Sequence, residues 1–165
     1  MPSHPRSRKK TSAQLIGLIS DTHGLIRPQA LDVLTGVDFI IHAGDIGAPE
    51  VIDHLKRIAP VVAIRGNNDR ERWAKSLPDI KLVKTADAKL YIIHNVKELD
   101  YDPLRRGIQV VISGHSHKPS VGNRDGVLYV NPSSAGPRRF KLPIAVGKLQ
   151  VEGMQVRAEI IELEI

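Results

Sequence analysis

Apolar runs alternate with helix-spaced segments over the first half of the chain. LIGLIS (15–20) is an apolar run stopped by the polar turn DTHG, which predicts a strand. RPQALDVLTG follows, with Pro28 in a first helical turn and Gly36 where a helix would stop. VDFIIH (37–42) predicts a second buried strand, ending in AGD. In APEVIDHLKRI, Val51, Leu55 and Ile58 recur at four and three, a helical stripe behind Pro49. PVVAI (60–64) is the third strand, followed by RGNND. Strand–helix–strand–helix–strand in this order predicts right-handed parallel crossovers. DTHG, AGD and GNND each follow the apolar run of a strand. In an open parallel sheet the carboxyl ends of the strands form the ligand crevice, so these three motifs are expected to meet at one edge.

After residue 78 the pattern changes to short strand-like runs: IKLVK, AKLYIIH, IQVVIS, KPSVGN, GVLYVN, IAVGKLQV and QVRAEIIELEI. Helical periodicity is scarce, with one short helix expected around Glu98 to Arg106. This half is expected to be mostly antiparallel and to pack as a second sheet on the first. At 165 residues and 41% hydrophobic content, the chain is long enough for one compact domain with a substantial core. The expected organisation is a single α/β domain over 15–165 behind a disordered basic tail over 1–14.

Charge changes little in this picture. The net charge is 24 − 18 = +6, and Arg6, Arg8, Lys9 and Lys10 supply four of those units, leaving the body near +2. Basicity concentrated in a tail weakens a nucleic-acid reading of the whole chain, and six aromatics leave little for base stacking. Cysteine is absent, which excludes disulfides, thiolate metal sites and a cysteine nucleophile. No segment approaches a membrane span, and the N-terminus lacks the apolar stretch of a secretory signal. A cytoplasmic protein is the expectation.

The candidate chemistry lies at the strand ends. Asp21 and His23, Asp45, Asn67 and Asn68, His94, then His115 and His117 occur in order, each after an apolar run. All but Asn68 are nitrogen or oxygen donors suited to first-row divalent metals. In an extended D-x-H or H-x-H, residues i and i+2 point the same way, so both side chains are expected to face one ion. Taken singly, DTHG reads equally as a helix-entry turn, GNND as a tight turn and His94 as a core histidine. Their ordered co-occurrence is what points to metal.

D-x-H, G-D, G-N-x-D, a strand-end His and G-H-x-H together resemble the calcineurin-like metallophosphoesterase superfamily. The wording ISDTHG, HAGD and SGHSHKP is most similar to its small prokaryotic phosphodiesterase branch, over about Leu15 to Pro132. The resemblance implies a four-layer αββα sandwich of two mixed β-sheets with the metal site at the strand ends. It implies Asp21, His23 and His117 on a first metal, Asn67, His94 and His115 on a second, and Asp45 bridging both. It further implies a dinuclear metal-dependent phosphodiesterase acting through a metal-bridging hydroxide on a small phosphoester substrate. Two divalent ions are expected, manganese first, with iron, nickel, cobalt and zinc also compatible with the donors. A phosphomonoesterase of the same fold and a metal-binding scaffold protein stay open as alternatives.

The chain departs from the family at several places. Asn68 stands where the superfamily often has His and the small branch Cys; it donates hydrogen bonds but cannot act as a general acid near neutral pH. Asn68 is a candidate contact to the leaving group or phosphoryl oxygens, and Arg138, in PRRFK, is a second candidate substrate contact. A solvated basic face or a homo-oligomer contact are the other uses of PRRFK. His94 is followed by Asn95-Val96 instead of Gly-His. NPSS (131–134) has serine where the family usually has glycine and is expected to be a structural turn. His4 and His54 read as solvated and His42 as a core or supporting histidine. Asp69 reads equally as an orienting group for a metal-binding histidine or a turn cap. Nucleic acid is an expected partner only as a substrate.

Overall fold

The structure, a computed structural model, describes residues 13–85 and 87–165. The basic tail and His4 therefore lie outside the described residues as far as position 12. Strands β1 (Gln14–Ile19), β2 (Phe39–His42) and β3 (Val61–Ala63) are parallel neighbours, with Ile19 opposite His42 and His42 opposite Ala63. Their carboxyl ends thus stop at one level. The crossovers are helices α1 (Pro28–Leu34) and α2 (Pro49–Lys56), each opened by a proline, whose missing N–H is no loss in a first turn. Ala30 and Leu34 of α1 and Val51 and Leu55 of α2 pack on Ile19, Ile40 and Ile46.

A second sheet contains β4 (Ile80–Lys84), β5 (Lys89–Ile93), β6 (Val110–Ile112), β7 (Ser120–Arg124) and β8 (Val127–Asn131), ordered β4-β5-β6-β8-β7. Ile16, Leu18 and Ile41 of the first sheet meet Leu90, Ile92, Val110, Ile112 and Val130 of the second in the central core. Each such side chain contributes about 1.5–3 kcal/mol on burial. The expected sandwich of two mixed sheets is the observed architecture.

Three details differ from expectation. In the second sheet only the outer pairs, β4–β5 and β7–β8, are antiparallel as expected; the central pairs, β5–β6 and β6–β8, are parallel. VVI of β6 is buried at every position, the signature of a parallel strand covered on both faces, and this outweighs the scarcity of helix. The last two strands, β9 (Ala145–Glu152) and β10 (Gln155–Glu162), form a hairpin that joins the first sheet antiparallel to β1. The helix expected around Glu98 to Arg106 is two 3-10 turns, Val96–Glu98 and Leu104–Arg106. Pro103 separates them, since it biases Asp102 away from helix and donates no N–H. These turns and their loops cover Tyr91, Ile93, Ile108 and Val111, so the fourth layer is thin. No helix among the described residues is long and apolar enough to cross a membrane.

Candidate metal centre

β1, β2, β3, β5 and β6 all deliver their following loops to one edge, and those loops carry the predicted residues. Parallel-type hydrogen bonds continue past the strands: Asp21 N–H to Gly44 O at 3.0 Å, His23 N–H to Asp45 O at 3.0 Å and Gly114 N–H to His94 O at 3.0 Å. The convergence is not by extended backbone, as the i, i+2 argument assumed. Asp21, His23, Asp45, His115 and His117 have φ of 54, 47, 54, 70 and 59°. Five non-glycine residues in the left-handed region carry strain of the kind held at functional sites. The left-handed turns, rather than strand pleating, aim these side chains together.

Two groups of donor atoms result. Asp21, His23 and His117 form one, and Asp21, Asp45 and His94 the other. His117 Nε2 lies 3.5 Å from Asp21 Oδ1, and His23 Nε2 lies 4.0 Å from Asp21 Oδ1 and 3.9 Å from Asp45 Oδ2. His23 and His117 bring their Nε2 atoms within 3.4 Å of each other. His94 Nε2 is 3.3 Å from Asp45 Oδ2 and 3.8 Å from Asp21 Oδ1. Beside it, His115 Nδ1 is 3.2 Å from Asn67 Oδ1, and the His94 and His115 rings meet edge to face. All seven predicted ligands are therefore at this edge. Asp21 belongs to both groups.

The arrangement suits a cation. Ala43 O, which can only accept, is 2.7 Å from His94 Nδ1, so Nδ1 carries the proton. His94 Nε2 then faces two carboxylates at 3.3 and 3.8 Å, a gap that needs a proton or a cation in it. Asp21 Oδ1 and His94 Nε2, which face this cluster, are buried without a hydrogen-bond partner. Burial alone would raise the Asp21 carboxyl, but His117, Ser20 and His94 outweigh it and hold it below the ordinary range. Burial likewise opposes ionisation of Asp45, yet His94, the Asn68 N–H and His23 bring it down to about 2. Burial lowers His94, while Asp45 and Asp21 outweigh that and leave it raised. Paired ionised carboxylates with imidazole nitrogens form a hard-to-borderline donor set for a divalent ion.

Several supporting residues become legible only in three dimensions. Ser20 Oγ donates to Asp21 Oδ2 at 2.7 Å and His115 N–H donates to the same oxygen at 3.0 Å, which leaves Oδ1 facing the cluster. A buried serine ahead of Asp21 was the available sequence signal. Asp69 resolves as a latch between loops, accepting N–H groups from Ile46 (3.0 Å), Gly47 (3.0 Å) and Gly66 (2.9 Å). Asn68 is turned inward, its N–H at 2.9 Å from Asp45 Oδ1 and its amide at 3.1 Å from Asp45 Oδ2. Arg138 is exposed, with Nη1 on Leu142 O at 3.3 Å. Asn95 accepts from Lys97 N–H and caps a 3-10 turn. Ser133 has φ 74°, which explains glycine at that position in the family; its hydroxyl lies against His117 O and Pro143 O.

His42 is fully buried and is not among the ligands. Its Nδ1 accepts from Gly44 N–H at 3.1 Å, so Nε2 carries the proton and donates to Thr22 Oγ1 at 3.0 Å. Burial holds its pKa down to about 4, from an ordinary 6.5. Between those values the unfolded chain binds the extra proton, so this contribution to stability is complete above pH 6.5 and declines toward pH 4. Metal-free protein is expected to lose about 1–3 kcal/mol across that window. The raised His94 is already protonated there and adds no slope. Chemical denaturation at stepped pH should show this loss, and His42→Gln should flatten it.

Gly66 and Gly114 mark close approach. A Cβ at Gly66 would overlap Asp45 Oδ1 and the Asp45 backbone nitrogen, and one at Gly114 would overlap Ser20 Oγ and Asp21 Oδ2. Gly66→Ala is expected to cost about 1–3 kcal/mol of stability by overpacking. It should weaken metal binding as Asp45 is displaced; thermal melting and metal titration read the two effects separately.

A two-sheet α/β sandwich with clustered carboxylate and imidazole groups at its strand ends defines a class of metal-site protein. Residues 15–154 match the calcineurin-like phosphoesterase superfamily domain, and the chain belongs to that family. It is 35% identical to a "Probable metallophosphoesterase" of Methanocaldococcus jannaschii, over 98% of this chain and 91% of the relative. The solved structure of an archaeal phosphodiesterase superposes with a TM-score of 0.74 at 28% identity, covering 89% of this chain and 99% of that one. Chaetomium thermophilum Vps29 has the same fold, with a TM-score of 0.74 at 18% identity, over 92% of this chain and 100% of its own.

Proposed function

We propose that this protein is a dinuclear metal-dependent phosphodiesterase. The observation that carries the reading is His94 Nε2, left free for ligation by the Nδ1 bond to the Ala43 carbonyl and facing both the Asp21 and Asp45 carboxylates. In this assignment Asp21, His23 and His117 would hold one divalent ion, Asn67, His94 and His115 would hold a second, and Asp45 would serve both. Bound ions of this kind neutralise phosphoryl oxygens and acidify a coordinated water.

The chain's own residues set how that chemistry is aimed. Ser20 and the His115 N–H fix which Asp21 oxygen faces the cluster. Asn68 holds both Asp45 oxygens, and its amide has no proton to release near neutral pH. A departing alkoxide therefore takes its proton from solvent, so esters with good leaving groups are favoured. Arg138, with guanidinium N–H groups beyond its Leu142 contact, and Asn68 are the proposed substrate contacts. A cleft beside His115, lined by Asn67, His94, Asn95 and Glu98, gives the cluster access to solvent. Diester preference is supported by the likeness to the archaeal phosphodiesterase.

The test is a pair of assays on manganese-loaded protein, one with a diester and one with its matching monoester. Faster diester turnover is the expected result. Faster monoester turnover replaces the reading by phosphatase, and tight metal binding with no hydrolysis of either replaces it by a scaffold.

A further inference from the structure

The chain has two phenylalanines, and they are placed in opposite ways. Phe39 packs against the central core, whereas Phe140 is 87% exposed. Phe140 also holds φ 54°, a left-handed conformation with a steric cost for a residue with a Cβ. An aromatic ring held out in solvent on strained backbone calls for a ligand-based reason. Arg138 and Arg139 precede it and Lys141 follows.

The loop that carries this ring stands on the backbone of the donor cluster. Ser134 Oγ donates to Asp21 O at 2.9 Å and accepts from Gly136 N–H at 3.2 Å. At the other foot, the Ser133 hydroxyl joins His117 O (3.0 Å) to Pro143 O (2.7 Å). Leu142 N–H closes the turn on Arg139 O at 3.1 Å. Phe140 is three residues from Pro143, so its Cα lies within about 11 Å of that foot. Both feet rest on backbone of residues that supply the first donor group. A flat apolar face flanked by cations, within reach of a phosphoester site, matches a planar base joined to a phosphate. It does not match a quaternary ammonium headgroup, which the cations repel, nor a sugar phosphate, which lacks an apolar face.

We propose that the 138–141 loop is a nucleobase subsite: Phe140 stacks on a base of a nucleotide phosphodiester, and Arg139 and Lys141 face its phosphate. This rests on the phosphoesterase reading and narrows its substrate class. Water adds across one P–O bond of the diester and yields a nucleotide monoester and an alcohol. The remaining nucleotide keeps its base on Phe140.

The experiment compares full-length, manganese-loaded wild type with Phe140→Ala and Phe140→Trp. Substrates are a 3′,5′-linked dinucleoside monophosphate and glycerophosphoglycerol, a diester without a base. Alanine is expected to raise KM for the dinucleotide about 10-fold or more, the scale of one lost stacking contact, with little change in kcat. Tryptophan is expected to restore KM, and AMP, but not glycerol 3-phosphate, should quench the new indole. An unchanged dinucleotide KM in Phe140→Ala overturns the subsite. So does an equal loss on both diesters, or an effect confined to oligomeric mass or adsorption to anionic vesicles. If wild type cleaves neither diester yet AMP quenches the indole introduced by Phe140→Trp, the hydrolase reading fails while the base subsite stands.

Discussion

Asp21→Asn is expected to release divalent metal from both donor groups and to lower phosphoester turnover by about 10³-fold. A metal's Lewis-acid contribution is several kcal/mol, and each 1.36 kcal/mol is about tenfold in rate. Asp21 is the carboxylate common to both donor groups, and only Asp45, proposed to serve both ions, borders as much of the cluster. The direction of the new amide is also determined. Ser20 O–H and His115 N–H both donate to Asp21 Oδ2, so the asparagine oxygen is retained there and its NH₂ faces the cluster. An NH₂ group is not a ligand. Asparagine is among the residues that tolerate the φ of 54° at this position, which preserves the fold. Elemental analysis, turnover and a thermal melt on the same preparation check all three statements. Asp45→Asn removes the carboxylate proposed to serve both ions, which lies 3.9 Å from His23 Nε2 and 3.3 Å from His94 Nε2, and should likewise lower the content of both metals.

Asn68→His is expected to accelerate hydrolysis of esters with poor leaving groups by about 10²-fold, the lower end of what a placed proton donor contributes. Esters with good leaving groups should change little. Asn68 N–H and its amide both bind Asp45, so position 68 already sits against the cluster. A histidine there keeps the backbone bond and replaces a proton-inert amide by a group that titrates near neutrality. The plot of log kcat against leaving-group pKa is expected to become shallower in the variant. Parallel lines for variant and wild type would remove Asn68 from any account of leaving-group departure.

The sequence made the first three strands, both helices and all seven candidate ligands legible because local signals agreed there. Prolines opened the helices, apolar runs gave the strands, and polar motifs followed them. Long-range pairing carried no such signal. KPSVGN and IAVGKLQV look alike as short strands, yet β7 edges the second sheet while β9 returns to β1. Backbone hand was equally hidden: nothing in D-T-H announces φ near 50° at both Asp21 and His23. The roles of Asp69 and Asn68 depend on which loop faces which across the edge. Ser133 is a further case: NPSS reads as a structural turn, but serine gives no sign of the left-handed φ of 74° that it adopts.

The most direct measurement is anomalous diffraction from crystals grown in manganese. Two peaks are predicted, one bounded by Asp21, His23 and His117 and one by Asn67, His94 and His115, with Asp45 adjoining both. An edge free of anomalous density, or manganese bound only on surface carboxylates elsewhere, would contradict the account.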